Sequence, residues 1–138
     1  MTETQLVRDA MVSEPLSLDV GATAQQAGEA LNRDEVRAVL VTDAGRLVGV
    51  VTRKTLVRKV VAPGLDPKTT ALREIAETPN CTIDSSMPLE DAFELLEEQD
   101  LERVPVIEPG NRLVGVLSRA VVRRRLAEDA PQPDRDAE

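Results

Sequence analysis

The sequence predicts an α/β fold of two pseudo-symmetric repeats, each a small three-stranded sheet with flanking helices. The main observation is a duplication, because residues 46–53 (RLVGVVTR) return at residues 112–119 (RLVGVLSR), displaced by 66 positions. Residues 37–41 return at 103–107 with the same displacement. In each copy the apolar runs are short and separated by turn residues, which is typical of buried strands joined in a hairpin. Three strands alone make a marginal sheet, so two copies predict a pair that shares one core.

The first copy opens with a predicted helix, a strand and a second helix. Residues 4–12 have apolar positions on one side of a helix, which Pro15 ends. Residues 16–20 alternate apolar and polar, the pattern of a half-buried strand. Thr23 and Gln26 have the spacing of a capping box, so a helix is expected to begin there.

A hairpin and a closing helix complete the first copy. Residues 38–41 and 47–51 are apolar runs around a turn, and they predict two buried strands. Gly49 and its counterpart Gly115 are expected to permit close packing of another backbone segment. The helix at residues 53–61 is expected to turn four apolar side chains inward: Leu56, Val57, Val60 and Val61.

The second copy repeats this order after a linker that contains two prolines and a glycine. Its predicted elements are a helix near 70–77, a strand at 81–83, a helix from about 88, strands at 104–107 and 113–117, and a helix at 119–127. The predicted domains are the first repeat with its N-terminal helix (1–62), a linker (63–69), the second repeat (70–127) and a disordered acidic tail (128–138).

Composition excludes several classes of function. The net charge of −8 opposes nonspecific nucleic-acid binding, and no apolar run reaches the length of a membrane span. The chain has no histidine and one cysteine, so the commonest general base, a zinc cluster and an internal disulfide are not expected. The N-terminus has no signal-peptide pattern. We therefore expect a cytoplasmic protein that is not an enzyme and carries no metal or cofactor, apart from any nucleotide ligand.

The duplicated motif resembles a tandem pair of CBS domains, named for cystathionine β-synthase and also called a Bateman module. The resemblance rests on residues 104–107 (VPVI) and 113–118 (LVGVLS), together with their first-copy counterparts, and it covers about residues 7–126. Residues 64–67 (GLDP) with Thr69 and Thr70 resemble small stand-alone CBS pairs of actinobacteria, including the hypoxic-response type. The resemblance implies a regulatory module that binds AMP, ADP, ATP, S-adenosylmethionine or NAD in clefts between the copies.

Two strand ends support such a site. Thr52 and Ser118 each end a buried strand and begin a helix, so each hydroxyl is expected to cap that helix. Free backbone N–H groups and the helix dipole suit a phosphate there. Arg53 and Arg119 follow directly and can add charge-assisted contacts.

Further site residues are implied by the family pattern. Val50 and Val116 would form apolar walls, and Ser17 and Thr82 match a hydroxyl residue on the first strand of each copy. One composite cleft would contain Thr82, Leu101, Glu102 and Arg103 with Val50 and Thr52, and the other would contain Ser17, Val36 and Arg37 with Val116 and Ser118.

The chain departs from the family pattern at the ribose-binding position. Nucleotide-binding members usually place Asp three residues after the capping Ser or Thr, and this chain has Thr55 and Val121 there. The alternative function is therefore a structural or protein-interaction module without a ligand. A homodimer is also expected, because several helices carry more apolar surface than a small sheet covers: Ala27, Ala30, Leu31, Val57, Phe93, Leu96 and Val121.

Overall fold

The computed structural model of the protein describes residues 4–129. Contacts between Cα atoms divide the chain into two compact units. The repeat-1 unit contains residues 14–80 and 109–113, and the repeat-2 unit contains the described parts of residues 1–13, 81–108 and 114–138. The helices are α1 (Val7–Ala10), α2 (Ala24–Leu31), α3 (Arg53–Leu56), a π-helix (Val57–Val61), α4 (Leu72–Ile75), α5 (Leu89–Glu98) and α6 (Arg119–Asp129). The strands are β1 (Val12–Ser13), β2 (Ser17–Asp19), β3 (Val39–Asp43), β4 (Arg46–Val51), β5 (Ile83–Asp84), β6 (Arg103–Glu108) and β7 (Arg112–Ser118).

The repeat-1 unit is built on the strands β2, β3 and β4. β3 and β4 form an antiparallel hairpin, in which Leu40 pairs with Val50. β2 lies parallel to β3, because α2 crosses over between them. The short helix α4 is held by backbone hydrogen bonds to the segment before α2, from Leu72 N to Ala22 O (2.8 Å) and from Arg73 N to Val20 O (3.0 Å).

The repeat-2 unit repeats this arrangement with a strand from the N-terminal segment. β5 lies parallel to β6, and β6 neighbours β7. β1 pairs antiparallel with β7, with Val12 opposite Val116. Val7 and Ala10 of α1 belong to the same buried core as Ile83, Leu89 and Leu117. The elements α1 and β1 thus complete the second copy, and α4 takes the place of α1 in the first.

These observations confirm the predicted fold class of two repeats with mixed strands and flanking helices. The expected capping box of α2 is also present, since Gln26 N donates to Thr23 Oγ1 (3.2 Å) and Thr23 N donates to Gln26 Oε1 (2.9 Å). The close approach expected at Gly49 and Gly115 is confirmed too. A Cβ atom at Gly49 would lie 2.6 Å from Ala76 Cβ, and one at Gly115 would lie 2.6 Å from Met11 Sδ.

Two predicted helices of the first copy differ from the structure. The first is helical only over Val7–Ala10, because the residues after it extend to pair with β7. The second, predicted at residues 53–61, is an α-helix only over Arg53–Leu56 and continues as a π-helix over Val57–Val61. The i→i+5 hydrogen bonds of a π-helix make each turn wider than in an α-helix. Of the three valines that were expected to point inward, only Val60 is buried, and Val57 and Val61 are 56% and 70% exposed. The expectation was wrong for those two residues.

The C-terminal helix extends beyond its predicted end. α6 continues through Asp129, so the first two residues of the predicted disordered tail are helical. Residues 130–138 of that tail lie outside the described residues. Within the described chain, no helix is both long enough and apolar enough to span a bilayer.

Candidate functional site

The end of β4 forms a polar turn in the repeat-1 unit. Thr52 adopts an extended conformation (φ −119°, ψ 175°) and caps α3. Thr55 N donates to Thr52 Oγ1 (3.3 Å), and Thr52 N donates in return to Thr55 Oγ1 (3.0 Å). This reciprocal pattern is a capping box in which threonine occupies the position usually held by Glu or Gln. The strand end is therefore held in one conformation by two side chains.

A carboxylate from a distant segment joins this turn. Thr55 is 1% exposed, and its Oγ1 donates to Glu77 Oε1 over 2.6 Å. Glu77 also exchanges two backbone hydrogen bonds with Val50, at 2.8 and 2.9 Å. Leu72 and Ile75 of α4 are buried and position the segment that carries Glu77. Glu77 was not among the predicted site residues, because an exposed glutamate outside any motif has no local signal in the sequence.

The hydrogen bonds assign the hydroxyl protons of this cluster. The one hydroxyl proton of Thr55 is donated to Glu77, so the 3.1 Å contact between Thr55 Oγ1 and Thr52 Oγ1 uses the proton of Thr52. Both hydroxyl protons are thus used inside the cluster. No other hydrogen bond of the Glu77 carboxylate occurs within the described chain. The cluster therefore offers acceptors to its surroundings and no free hydroxyl donor.

The positive charge next to this cluster is exposed. Arg53 Nη2 donates to the backbone oxygen of Arg33 (2.9 Å), and Arg53 forms no ion pair with a carboxylate in the part of the chain that the structure describes. The other predicted site residues of this unit are the half-buried Ser17, which pairs with Leu40 between strands, the buried Val36 and the exposed Arg37.

The equivalent turn in the repeat-2 unit has a weaker cap. Val121 N approaches Ser118 Oγ at 3.5 Å, at the limit for a hydrogen bond. Val116 is half-buried and pairs with Val12, as Val50 pairs with Glu77 in the other unit. Val121 has no polar side-chain atom, so a hydroxyl-to-carboxylate bond like that of Thr55 does not form here.

The arginine of this second turn is surrounded by carboxylates. Arg119 Nη1 lies 3.3 Å from both Glu97 Oε2 and Asp100 Oδ1, and Arg119 Nη2 pairs with Glu102 Oε1. The Arg119 side chain is 13% exposed. Desolvation disfavours its charged form, but hydrogen bonds and charges from Glu102, Asp100 and Glu97 outweigh this effect and raise the pKa of Arg119. Arg119 is thus matched by three acids, of which Glu97 also pairs with Arg123 Nη2 (3.5 Å).

The remaining predicted residues lie near this second turn in sequence. Thr82 and Leu101 are half-buried, and Glu102 and Arg103 are exposed. The structure brings Glu102 onto Arg119, through its side chain and through its backbone oxygen, which accepts from Arg119 N (2.9 Å). No side-chain hydrogen bond joins Thr82 or Arg103 to another predicted site residue in the described chain. Across residues 4–129, no group of three His, Cys, Asp or Glu side chains could hold a metal ion.

Comparison with known proteins supports the motif assignment. A family model described as the CBS domain matches residues 7–62 and again residues 72–128. Hypoxic response protein 1 of Mycobacterium tuberculosis is 36% identical over 88 residues, which cover 64% of this chain and 61% of that protein. The Meiotically up-regulated gene 70 protein of Schizosaccharomyces pombe is 33% identical over 106 residues, which cover 76% of this chain and 14% of that protein. The chain thus spans less than two thirds of either relative.

Two solved structures resemble the fold. One is the crystal structure of Hypoxic Response Protein I with two coordinated zinc ions, with a TM-score of 0.72 and 29% identity over 87% of this chain and 98% of that chain. The other is CBSX2 in complex with AMP, with a TM-score of 0.72 and 24% identity over 91% of this chain and 98% of that chain. At this level of identity the second structure supports the fold alone.

Proposed function

Because this chain belongs to the CBS-domain family and carries two copies of the domain, we propose that it is a regulatory CBS pair that binds an adenosine-containing ligand. AMP, ADP, ATP and S-adenosylmethionine are the ligands that we consider first. CBSX2, whose fold is similar, has been crystallised with AMP, so AMP is the first compound to test. In this proposal the protein acts in the cytoplasm as a sensor or adaptor and catalyses no reaction itself.

One observation carries the proposal, namely the difference between the two strand-end turns. In the repeat-1 unit, Thr52 caps a helix next to Arg53, whose charge is not matched by a carboxylate in the described chain. In the repeat-2 unit, Arg119 is already paired with three acids. A phosphate gains more from an uncompensated arginine than from one that must first release its partners. We therefore place the phosphate of the ligand at the repeat-1 turn.

The proposed ligand contacts divide by role. Val50 packs against the base and Arg53 lies at the phosphate, while Thr52 and Thr55 hold the turn that carries Arg53. The other predicted residues are proposed to contribute more weakly or in a second site: Ser17, Val36, Arg37, Thr82, Leu101, Glu102, Arg103, Val116, Ser118 and Arg119.

Thermal unfolding in the presence of AMP, ADP, ATP, S-adenosylmethionine and NAD tests this function. A ligand at 100 times its dissociation constant stabilises the folded state by about 2.7 kcal/mol. For a chain of this size that stabilisation raises the Tm by roughly 10 °C. We expect at least one of the five compounds to produce such a shift in wild type and a clearly smaller one in Arg53→Gln. The exposed Arg58→Gln serves as the control, because it removes an equal charge from the π-helix instead of from the turn.

The alternative is a structural or protein-interaction module without a ligand. The carboxylates around Arg119 favour this alternative for the second copy, because they satisfy the arginine without any phosphate. If none of the five compounds changes the Tm at millimolar concentration, the alternative applies to the whole chain.

We also propose that the protein forms a homodimer, although of the expected surface only Val57 lies in the exposed ridge proposed here. Ala27, Leu31 and Leu96 are buried within their own units, so they do not supply free apolar surface. An exposed apolar ridge is formed instead by Val57, Val61 and Leu65. It borders a groove of about 430 Å³ in the repeat-1 unit, between α2 and the π-helix. Contiguous exposed apolar surface of this kind favours association.

Sedimentation equilibrium tests the dimer. We expect wild type at tens of micromolar to have twice the 15.0 kDa mass of one chain. Val61→Lys should produce monomers, because it places a charge in the ridge where water would be excluded. Val48→Lys is the matched control, since Val48 is also exposed but lies on β4, away from the ridge. A 15.0 kDa wild type, or equal effects of the two variants, would contradict this arrangement.

A further inference from the structure

Glu77 is the only carboxylate bonded to the repeat-1 turn within the described residues, and no motif assigned it a role. The backbone N–H of Glu77 donates to Val50 O, and its backbone oxygen accepts from Val50 N. Its side-chain Oε1 accepts a hydrogen bond from the buried Thr55 hydroxyl. The residue as a whole is exposed. Glu77 is therefore a fixed, solvent-facing acceptor next to the capping residue Thr52.

The proton assignment limits what can bind to this acceptor. Because the hydroxyl protons of Thr52 and Thr55 are both used within the cluster, a ligand group at Glu77 meets lone pairs and a negative charge. A phosphate there would meet a like charge and no hydroxyl donor. A pair of neighbouring hydroxyl groups has the opposite chemistry, since each can donate to a carboxylate.

The second copy provides an internal comparison. Residues equivalent to Glu77 and Thr55 are Val12, which pairs with Val116, and Val121, which follows Ser118 by three positions. Both positions are polar in the first copy and apolar in the second, so the second copy has neither the hydroxyl nor the carboxylate. A threonine needed only as a helix cap would not require a carboxylate partner, because the capping bonds use Thr52 and Thr55 alone.

We propose that Glu77 determines the specificity of the repeat-1 turn by accepting hydrogen bonds from the vicinal hydroxyls of a ribose. This inference rests on the proposed function, and it names the group that recognises the sugar. Thr55 acts as a positioning residue, because it orients one carboxylate oxygen and leaves the other free. In this arrangement Glu77 binds the sugar and Arg53 binds the phosphate.

Calorimetric titration with adenosine and 2′-deoxyadenosine tests the inference without a phosphate. 2′-Deoxyadenosine lacks one of the two hydroxyls that would donate to Glu77. Because hydrogen bonds to a charged group are strong, we expect wild type to bind adenosine about tenfold more tightly than the deoxy compound. In Glu77→Gln that ratio should fall to less than about twofold, because the neutral amide accepts more weakly. Glu29→Gln is the control, since Glu29 is an exposed acid on α2 of the same unit. It should keep the wild-type ratio.

The outcomes separate this inference from the proposed function. Glu77→Gln keeps an oxygen that can accept from Thr55, so its Tm should remain near that of wild type, and loss of the ratio then reports recognition. If Glu77→Gln keeps the tenfold preference, or if wild type binds both nucleosides equally, Glu77 is not the ribose acceptor although the proposed function stands. If wild type binds neither the nucleosides nor any of AMP, ADP, ATP, S-adenosylmethionine and NAD, the proposed function and this inference are both wrong.

Discussion

Replacing Leu72 with alanine is expected to lower the free energy of unfolding by about 2–5 kcal/mol, the largest effect that we predict for a single side chain. Leu72 is fully buried in the core of the repeat-1 unit, with Leu31, Val41 and Val60. α4 has four residues, too few to be stable as an isolated helix, so its position depends on this packing. Removing the side chain leaves a cavity and loosens the segment that carries Glu77.

Urea unfolding measures this effect, with Leu16→Ala as the matched control. Leu16 lies in the same unit but is 40% exposed and is not part of the proposed dimer ridge, so its truncation should change the free energy of unfolding by about 0.5 kcal/mol or less. Equal costs for the two variants would show that α4 is not anchored in the core.

Gly49→Ala is expected to cost about 1–3 kcal/mol of folding free energy, because its new methyl group has no space. The added Cβ would lie 2.6 Å from Ala76 Cβ and 3.2 Å from Glu77 O. The clash is with a short side chain and a backbone atom, so no flexible group can move aside. The variant should therefore also push Glu77 away from Val50, with which it exchanges backbone hydrogen bonds of 2.8 and 2.9 Å.

Gly28→Ala is the control for Gly49→Ala, and it should have the opposite sign. The nearest atom to a Cβ at Gly28 is Leu56 Cδ1 at 3.7 Å, an ordinary contact. Gly28 lies inside α2, where alanine is more stable than glycine by about 0.5–1 kcal/mol. Thermal unfolding of both variants checks the pair, and destabilisation by Gly28→Ala or none by Gly49→Ala would contradict the packing.

Much of the fold could be predicted because its signals are local or duplicated. The hairpins follow from short apolar runs around turn residues, and the cap of α2 follows from the spacing of Thr23 and Gln26. The duplication of residues 46–53 then indicated that both copies share one architecture. Close approach at Gly49 could be expected as well, because a glycine inside a strand pattern often marks a neighbouring backbone.

The features that escaped prediction depend on contacts between distant residues. The bond from Thr55 to Glu77 joins residues that are 22 positions apart, and an exposed glutamate has no periodic pattern. The acids around Arg119 come from α5 and the loop after it, where they resemble an ordinary solvated surface. A comparison of the two copies could have indicated the first feature, because Glu77 and Thr55 are both replaced by valine, at Val12 and Val121.

The change from α3 to a π-helix also had no signal in the sequence. Residues 53–61 have apolar residues at helical spacing, and that pattern fits an α-helix as well as a π-helix. Val57, Val61 and Leu65 are exposed, so the candidate dimer surface keeps Val57 from the predicted set and adds Val61 and Leu65.

The central claim is that the repeat-1 turn, and not its repeat-2 counterpart, holds the ligand. Titration of the ¹⁵N-labelled protein with AMP, followed by ¹H–¹⁵N NMR, tests this claim most directly, because each backbone amide reports separately. We predict that the amide signals of Thr52, Arg53, Thr55 and Glu77 shift in a saturable manner, and that those of Ser118, Arg119 and Val121 change little. Saturable shifts at Ser118, Arg119 and Val121, with Thr52 to Thr55 unchanged, would contradict the claim.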